Sequence, residues 1–217
     1  AFRWENGVMQ DLGTLGGDWS WAYGVSADGS VVVGEAHNAA WRGRAFRWEN
    51  GVMQDLGTLG GDGGWSRAIG VSADGSIVVG VSNWRAFRWT VAGGMQNLGT
   101  LPSGRRSWAY GVSADGSVVV GWADNAAGQE RAFRWENGVM QDLGTLGGFF
   151  SYAYGVSADG SVVVGGSGGR AFRWTAAGGM EDLNITYASL LTDGSVLSAA
   201  YAISPNGRYI VGYGYNA

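Results

Sequence analysis

Cysteine is absent from this 217-residue chain, proline occurs twice, and histidine once, at His37. Disulfides and thiol catalysis are therefore excluded, Cys/His metal sites nearly so, and neither a cofactor nor a metal is expected. Lysine is missing as well, so all 14 basic residues are arginine; 18 acidic residues outnumber them and leave a net charge of −4. That balance argues against a nucleic-acid partner, whose phosphates need a basic surface. Apolar runs such as Val31-Val32-Val33 fall far below the roughly 20 residues of a membrane-spanning helix, and membrane insertion is not expected. No Walker loop, dinucleotide fingerprint or EF-hand loop occurs. No signal peptide is present, and the chain opens inside a repeat, as it would after removal of a leader. What is abundant is glycine (41 residues) and tryptophan (12). The glycines have no three-residue period, which excludes collagen. A hydrophobic content of 46% against 15% charged excludes disorder.

The tetrapeptide AFRW begins at Ala1, Ala45, Ala86, Ala132 and Ala171, and AFRWENGVMQDLGTLGG is identical at 1–17, 45–61 and 132–148. Such identity points to recent duplication or deliberate design. The five repeats span 1–44, 45–85, 86–131, 132–170 and 171–217 of a single expected domain, a period typical of stacked supersecondary units. Their apolar segments are short, β-rich and interrupted by glycine, so they read as strands. In one unit, AYGVS (22–26), VVVG (31–34), AFRW (45–48) and MQDLG (53–57) alternate with the turns ADGS and ENG, whose Asp-Gly and Asn-Gly pairs favour hairpins. Four strands per repeat predict an all-β, five-bladed propeller of antiparallel blades. AYGVS is the expected innermost strand. The termini are expected to share one blade, with AYAIS (200–204) and YIVGY (209–213) completing the blade begun by the first AFRW, which would remove open sheet edges.

AFRW, M(Q/E)(D/N)L with GTL, and GVSADGSVVVG together resemble the bacterial HAF-type extracellular repeats across the whole chain. The resemblance implies secretion or surface display and no particular activity. The last repeat departs from it, with AISPNGRYIVG in place of GVSADGSVVVG and an insertion at 184–198. The layout also resembles five-bladed tachylectin-type lectins, an analogy of fold and size.

Alternation along AFRW sets Phe and Trp on one side and Arg on the other. Trp4, Trp48, Trp89, Trp135 and Trp174 are expected to pack blade on blade. Arg3, Arg47, Arg88, Arg134 and Arg173 either clamp a sugar hydroxyl or, as favoured here, pair with a carboxylate such as Asp55 or Asp28. The aspartates of ADGS are expected to form turns, and the five methionines, all at one repeat position, to fill the core. Variation is confined to the connections at the opposite end of the strands from the ADGS and ENG turns. All seven remaining tryptophans lie in or beside these connections, where a rigid scaffold usually carries its binding residues. A serine precedes each inner strand, flanked by Trp19/Trp21, Trp65/Arg67, Arg106/Trp108, Phe150/Tyr152 and Leu197/Ala199. Residues two apart in an extended segment point the same way, so four repeats present an aromatic or arginine pair. Trp41, Arg42, Trp84 and Trp122 lie in neighbouring connections, and Tyr187 in the inserted loop is placed to serve the fifth. Aromatic faces suit the C–H side of a sugar, and arginine donates to its hydroxyls. Plugging of the space between blades is the competing reading.

The expected function is a multivalent, non-catalytic, lectin-like protein whose partners are glycans, gaining avidity from repeated sites. A protein-interaction platform is the alternative, since Trp, Tyr and Arg also dominate protein hot spots. A glycoside hydrolase ranks below both: it needs two carboxyls roughly 5–9.5 Å apart, and nothing in the sequence pairs Glu35, Asp62 or Asp124. His37 with a nearby serine lacks a nucleophile elbow.

Overall fold

The computed structural model describes residues 1–216 and is built almost wholly of antiparallel strands. It divides into two compact units, Ala1–Leu98 and Gly99–Ala217, where the repeats suggest one domain. In the first unit a hairpin of β1 (Phe2–Glu5) and β2 (Val8–Asp11) precedes two four-stranded sheets. One comprises β3 (Gly16–Val25), β4 (Val31–Asn38), β5 (Gly43–Glu49) and β6 (Val52–Asp55); the other β7 (Ser66–Val71), β8 (Ile77–Ser82), β9 (Arg85–Thr90) and β10 (Gly94–Asn97). In the second unit β11 (Ser107–Val112), β12 (Val118–Asp124), β13 (Glu130–Glu136) and β14 (Val139–Asp142) form one sheet. The next contains β15 (Ser151–Val156), β16 (Val162–Ser167), β17 (Arg170–Thr175) and β18 (Gly179–Asp182). The insertion forms a short helix, α1 (Leu183–Thr186), and a 3-10 turn at Ala188–Leu190. A hairpin of β19 (Val196–Ile203) and β20 (Ile210–Tyr215) follows.

Local chemistry sets the hairpins. Asn50 and Gly51 both take positive φ (52° and 82°) between β5 and β6, as a two-residue turn that follows the strand twist requires. In each ADGS turn the aspartate folds back on its neighbours: Asp28 Oδ1 accepts from the Ser26 hydroxyl at 2.7 Å, and from the Ser30 N–H and hydroxyl at 3.0 and 2.8 Å. The turn-forming reading of these aspartates holds. The glycine ending VVVG marks a tight approach. A Cβ on Gly34 would lie 1.9 Å from the Trp21 carbonyl oxygen and 2.7 Å from the Phe46 ring. The pairing of β3 with β4 shifts register beside it, between Ala22 and Gly24, so a bulge lets the ring sit flat against the backbone.

Within each unit, successive sheets are joined by the same contacts. Ser66 Oγ accepts from the Ala45 N–H at 2.9 Å and donates to the Gly57 carbonyl at 2.6 Å; Ser151 does the same with Ala132 and Gly144 at 2.8 and 2.6 Å. The recurring serine is therefore a staple between sheets. Arg47 Nε donates to the Gly75 carbonyl at 3.0 Å, and its guanidinium pairs with Glu49 at 2.9 Å; Arg134 repeats this with Gly160 and Glu136. The favoured carboxylate pairing is present, but with a different partner from the Asp55 or Asp28 expected. Residues two apart share one face of a strand, which brings Glu49 alongside, while Asp55 instead accepts from the Gly57 N–H.

Phe46, Phe87, Phe133 and Phe172 are wholly buried and Trp48, Trp89, Trp135 and Trp174 nearly so. The first AFRW behaves differently: Phe2 is 60% and Trp4 63% exposed. The hairpins β1–β2 and β19–β20 each stand as a two-stranded sheet, where the sequence suggests halves of one four-stranded blade.

Candidate functional site

Antiparallel connectivity places the β4–β5, β6–β7 and β8–β9 connections at one end of the strands, opposite the ADGS and ENG turns. In the first unit this end carries a glycine-rich loop, Gly60-Gly61-Asp62-Gly63-Gly64. Gly61 takes φ +72°, a conformation that favours glycine, and Gly64 lies close against the Asn83 side-chain amide. Arg42 and Arg44 both donate to the Asp62 carbonyl, at 3.2 and 2.7 Å. On the other flank Asn83 Oδ1 accepts from the Trp65 N–H at 3.1 Å, and Trp65 meets Trp84 edge-on at 5.5 Å. The loop thus offers bare backbone between Arg42 and Arg44 on one flank and Trp65 and Trp84 on the other.

Trp41 and Trp84 are the most informative side chains. Both lie in the left-handed region, at φ +58° and +64°, and both are largely exposed, at 67% and 53%. Each has a twin. Asn38-Ala39-Ala40-Trp41 has the same hydrogen bonds as Asn125-Ala126-Ala127-Gly128: Trp41 N–H to the Asn38 carbonyl at 2.9 Å, and Gly128 N–H to the Asn125 carbonyl at 2.9 Å. Asn83-Trp84 occupies the same two-residue turn as Gly168-Gly169, with Ser82 facing Arg85 as Ser167 faces Arg170. In both cases tryptophan stands where the sister loop has glycine, and neither indole is buried in exchange.

The serine-flanking pairs are not equivalent. Trp19 and Trp21 lie 3.9 Å apart with their rings tilted by 39°, and Trp19 lies 3.5 Å from His37, which in turn meets Trp41 at 6.1 Å. Arg67 bonds the buried Glu35 at 2.6 Å and lies over Tyr23. In the second unit Arg106 spans Asp124 and Glu130 at 3.3 and 3.5 Å and stacks on Trp122. Trp122, 7% exposed, is held between Trp108 and Tyr152; it packs and offers no open face, contrary to its expected role as a ligand platform. Phe150 and Tyr152 lie 5.5 Å apart. Tyr187 does reach the fifth position, lining a cavity of about 340 Å³ with Leu197 and Ala199.

The carboxylates are also arranged differently from expectation. Asp124 faces Glu130 across β12–β13, so it does have an acidic neighbour. Burial alone would raise the Asp124 pKa, but the Arg106 and Arg105 N–H groups and the Arg106 guanidinium outweigh it and hold the carboxyl below its usual range. Burial, reinforced by a hydrogen bond to Glu130, pushes the Tyr152 phenol up. Asp124 is thus an anchor for the 105–106 backbone. Sequence reasoning passed over Arg44, which immediately precedes AFRW; its counterparts are Arg85, Arg131 and Arg170.

No protein-family model matches the chain, and no curated protein matches it. Solved structures do. The TolB protein of Acinetobacter baumannii aligns over 76% of this chain and 43% of its own, with a TM-score of 0.53 and 18% identity. A protein designated TolB in Agrobacterium tumefaciens aligns over 81% of this chain and 65% of its own, with a TM-score of 0.55 and 17% identity. This chain spans less than two thirds of either structure's length, and at such identity the likeness concerns the fold alone: repeated, propeller-like, four-stranded blades.

Proposed function

We propose that this chain is a multivalent, non-catalytic carbohydrate-binding protein, secreted or surface-displayed, whose sites lie on the loop-bearing end of its sheets. The observation that carries the proposal is the pair Trp41 and Trp84. A non-glycine residue in the left-handed region costs on the order of 1 kcal/mol, and an exposed indole recovers little of it by burial. A sugar laid on the indole face would recover it, with the bare 60–64 loop admitting the ring and Arg42 donating to hydroxyls. Trp19/Trp21 and Phe150/Tyr152 are the further sites, and the Tyr187 cavity the fifth. A glycan array on the intact protein tests the reading. Binding is expected, and Trp41→Ala or Trp84→Ala should each weaken one site by about 1–3 kcal/mol, as for other aromatic anchors. A silent array, with a captured protein whose binding needs the same tryptophans, favours the interaction-platform alternative.

The proposal includes a closed five-bladed ring, in which β1–β2 completes the sheet begun by β19–β20. Exposure supports it. Phe2 and Trp4 lie open where their counterparts are buried, and Val211 is exposed where Val33, Val79, Val120 and Val164 are buried.

A further inference from the structure

Arg44 is 4% exposed, and neither it nor Arg42 pairs with a carboxylate among the described residues; the partner they share is the Asp62 carbonyl oxygen. Two guanidiniums converging on one neutral oxygen repel each other, and a buried cation without a counter-charge is costly. The Nε of Arg44 is buried with no hydrogen-bond partner. Glu35 offers no relief, because it faces Ala45 across β4–β5 while Arg44 faces Ala36, on the other side of the sheet. Arg42 and Arg44 are thus two guanidiniums held by a neutral carbonyl. Arg42 is exposed and follows Trp41 directly in the chain.

We propose that the site over the 60–64 loop takes a saccharide bearing a carboxylate, such as a uronic acid unit. Its ring lies on Trp41 and its carboxylate on the Arg42 guanidinium, with Arg44 behind. This inference rests on the carbohydrate-binding reading. Geometry selects the carboxylate among anions: it is planar and accepts two parallel N–H groups from a guanidinium fork.

The test is calorimetric titration of the whole chain with an oligouronate, its methyl ester, and a sulfated neutral oligosaccharide of similar length. The free acid should bind at least about tenfold more tightly than the ester, the worth of a charge-assisted hydrogen bond, and its affinity should fall as salt rises. Arg42→Gln should erase the difference between acid and ester, weakening the acid at least about tenfold more than the ester. Asp62→Asn, which removes the local like charge, should tighten the acid alone. Arg42 is exposed, so folding of its variant is not at issue, and the ester provides the internal control. Equal binding of acid and ester, or an acid preference that survives Arg42→Gln, overturns the anionic assignment and leaves carbohydrate binding intact. Tighter binding of the sulfated sugar overturns the choice of carboxylate. Failure of all three ligands to bind overturns the anionic assignment, and if the glycan array is silent as well it overturns the carbohydrate reading itself.

Discussion

Trp41 and Gly128 offer a comparison within one molecule: the same Asn-Ala-Ala turn and the same hydrogen bonds, with an indole in one copy and a hydrogen in the other. Trp41→Gly should therefore relieve the left-handed strain and raise stability, by up to about 1 kcal/mol, while abolishing ligand at that site. Trp84→Gly should behave likewise, since Gly168-Gly169 already shows the relaxed turn. Thermal melts beside glycan titration check both; loss of stability would mean that the indoles serve the fold. The serine staple works the other way. Ser66 is wholly buried and bonds two backbone groups, so Ser66→Ala should cost about 1–3 kcal/mol by stranding them. Denaturant midpoints measure that loss, and ligand affinity should not change.

The hairpins respond to pH through their turns. The Asp28 carboxyl is held down to about 2 from 3.8, first by the Ser30 N–H and then by the Ser26 and Ser30 hydroxyls. Asp115 and Asp159 are likewise held to about 2, led by the hydroxyls of Ser113 and Ser157. These folded values lie below the unfolded one, so the contribution is complete above about pH 4 and is lost as pH falls through 2. Urea midpoints should fall across that interval, and more gently in a variant with these aspartates changed to asparagine. An equal slope in both would place the acid response elsewhere. At the alkaline end Tyr154 is raised to about 12, chiefly by burial, in an acid whose neutral form the fold favours. Its contribution is present below about pH 10 and disappears as pH rises through 12.

In the proposed closed ring the terminal hairpins would protect the ends of the chain. β1–β2 repeats the pairing of β5–β6, Phe2 facing Asp11 as Phe46 faces Asp55, yet its apolar side chains are exposed. A cavity of about 540 Å³ lies between Phe2–Trp4 and the Trp21–Val25 segment, space of the kind a further strand pair would fill. If the ring closes, Trp4→Ala should cost nearly as much as Trp48→Ala, about 3–5 kcal/mol; a cost near zero for Trp4→Ala would sink closure. On the same condition, deletion of 203–217 should unfold the protein, because a blade shared by the two hairpins would lose strand and its edges would reopen.

Strands, hairpins and repeat boundaries were legible because they depend on neighbours in the chain. Asn-Gly and Asp-Gly dictate turns, alternation dictates faces, and AFRW recurs with its own turn attached. The fate of an individual side chain was not, because it depends on what a distant loop places beside it. Trp122 and Trp41 occupy similar connections, yet Arg106, Trp108 and Tyr152 close over one, and left-handed backbone turns the other outward. Arg47 found Glu49 because strand geometry aligned them, and Arg44 has no carboxylate because the register sets Glu35 on the other face, toward Arg67. The repeats thus specified a blade and its turns. Which cations and indoles remained available to a ligand was settled by packing, since charge compensation and burial depend on contacts between residues far apart in the chain.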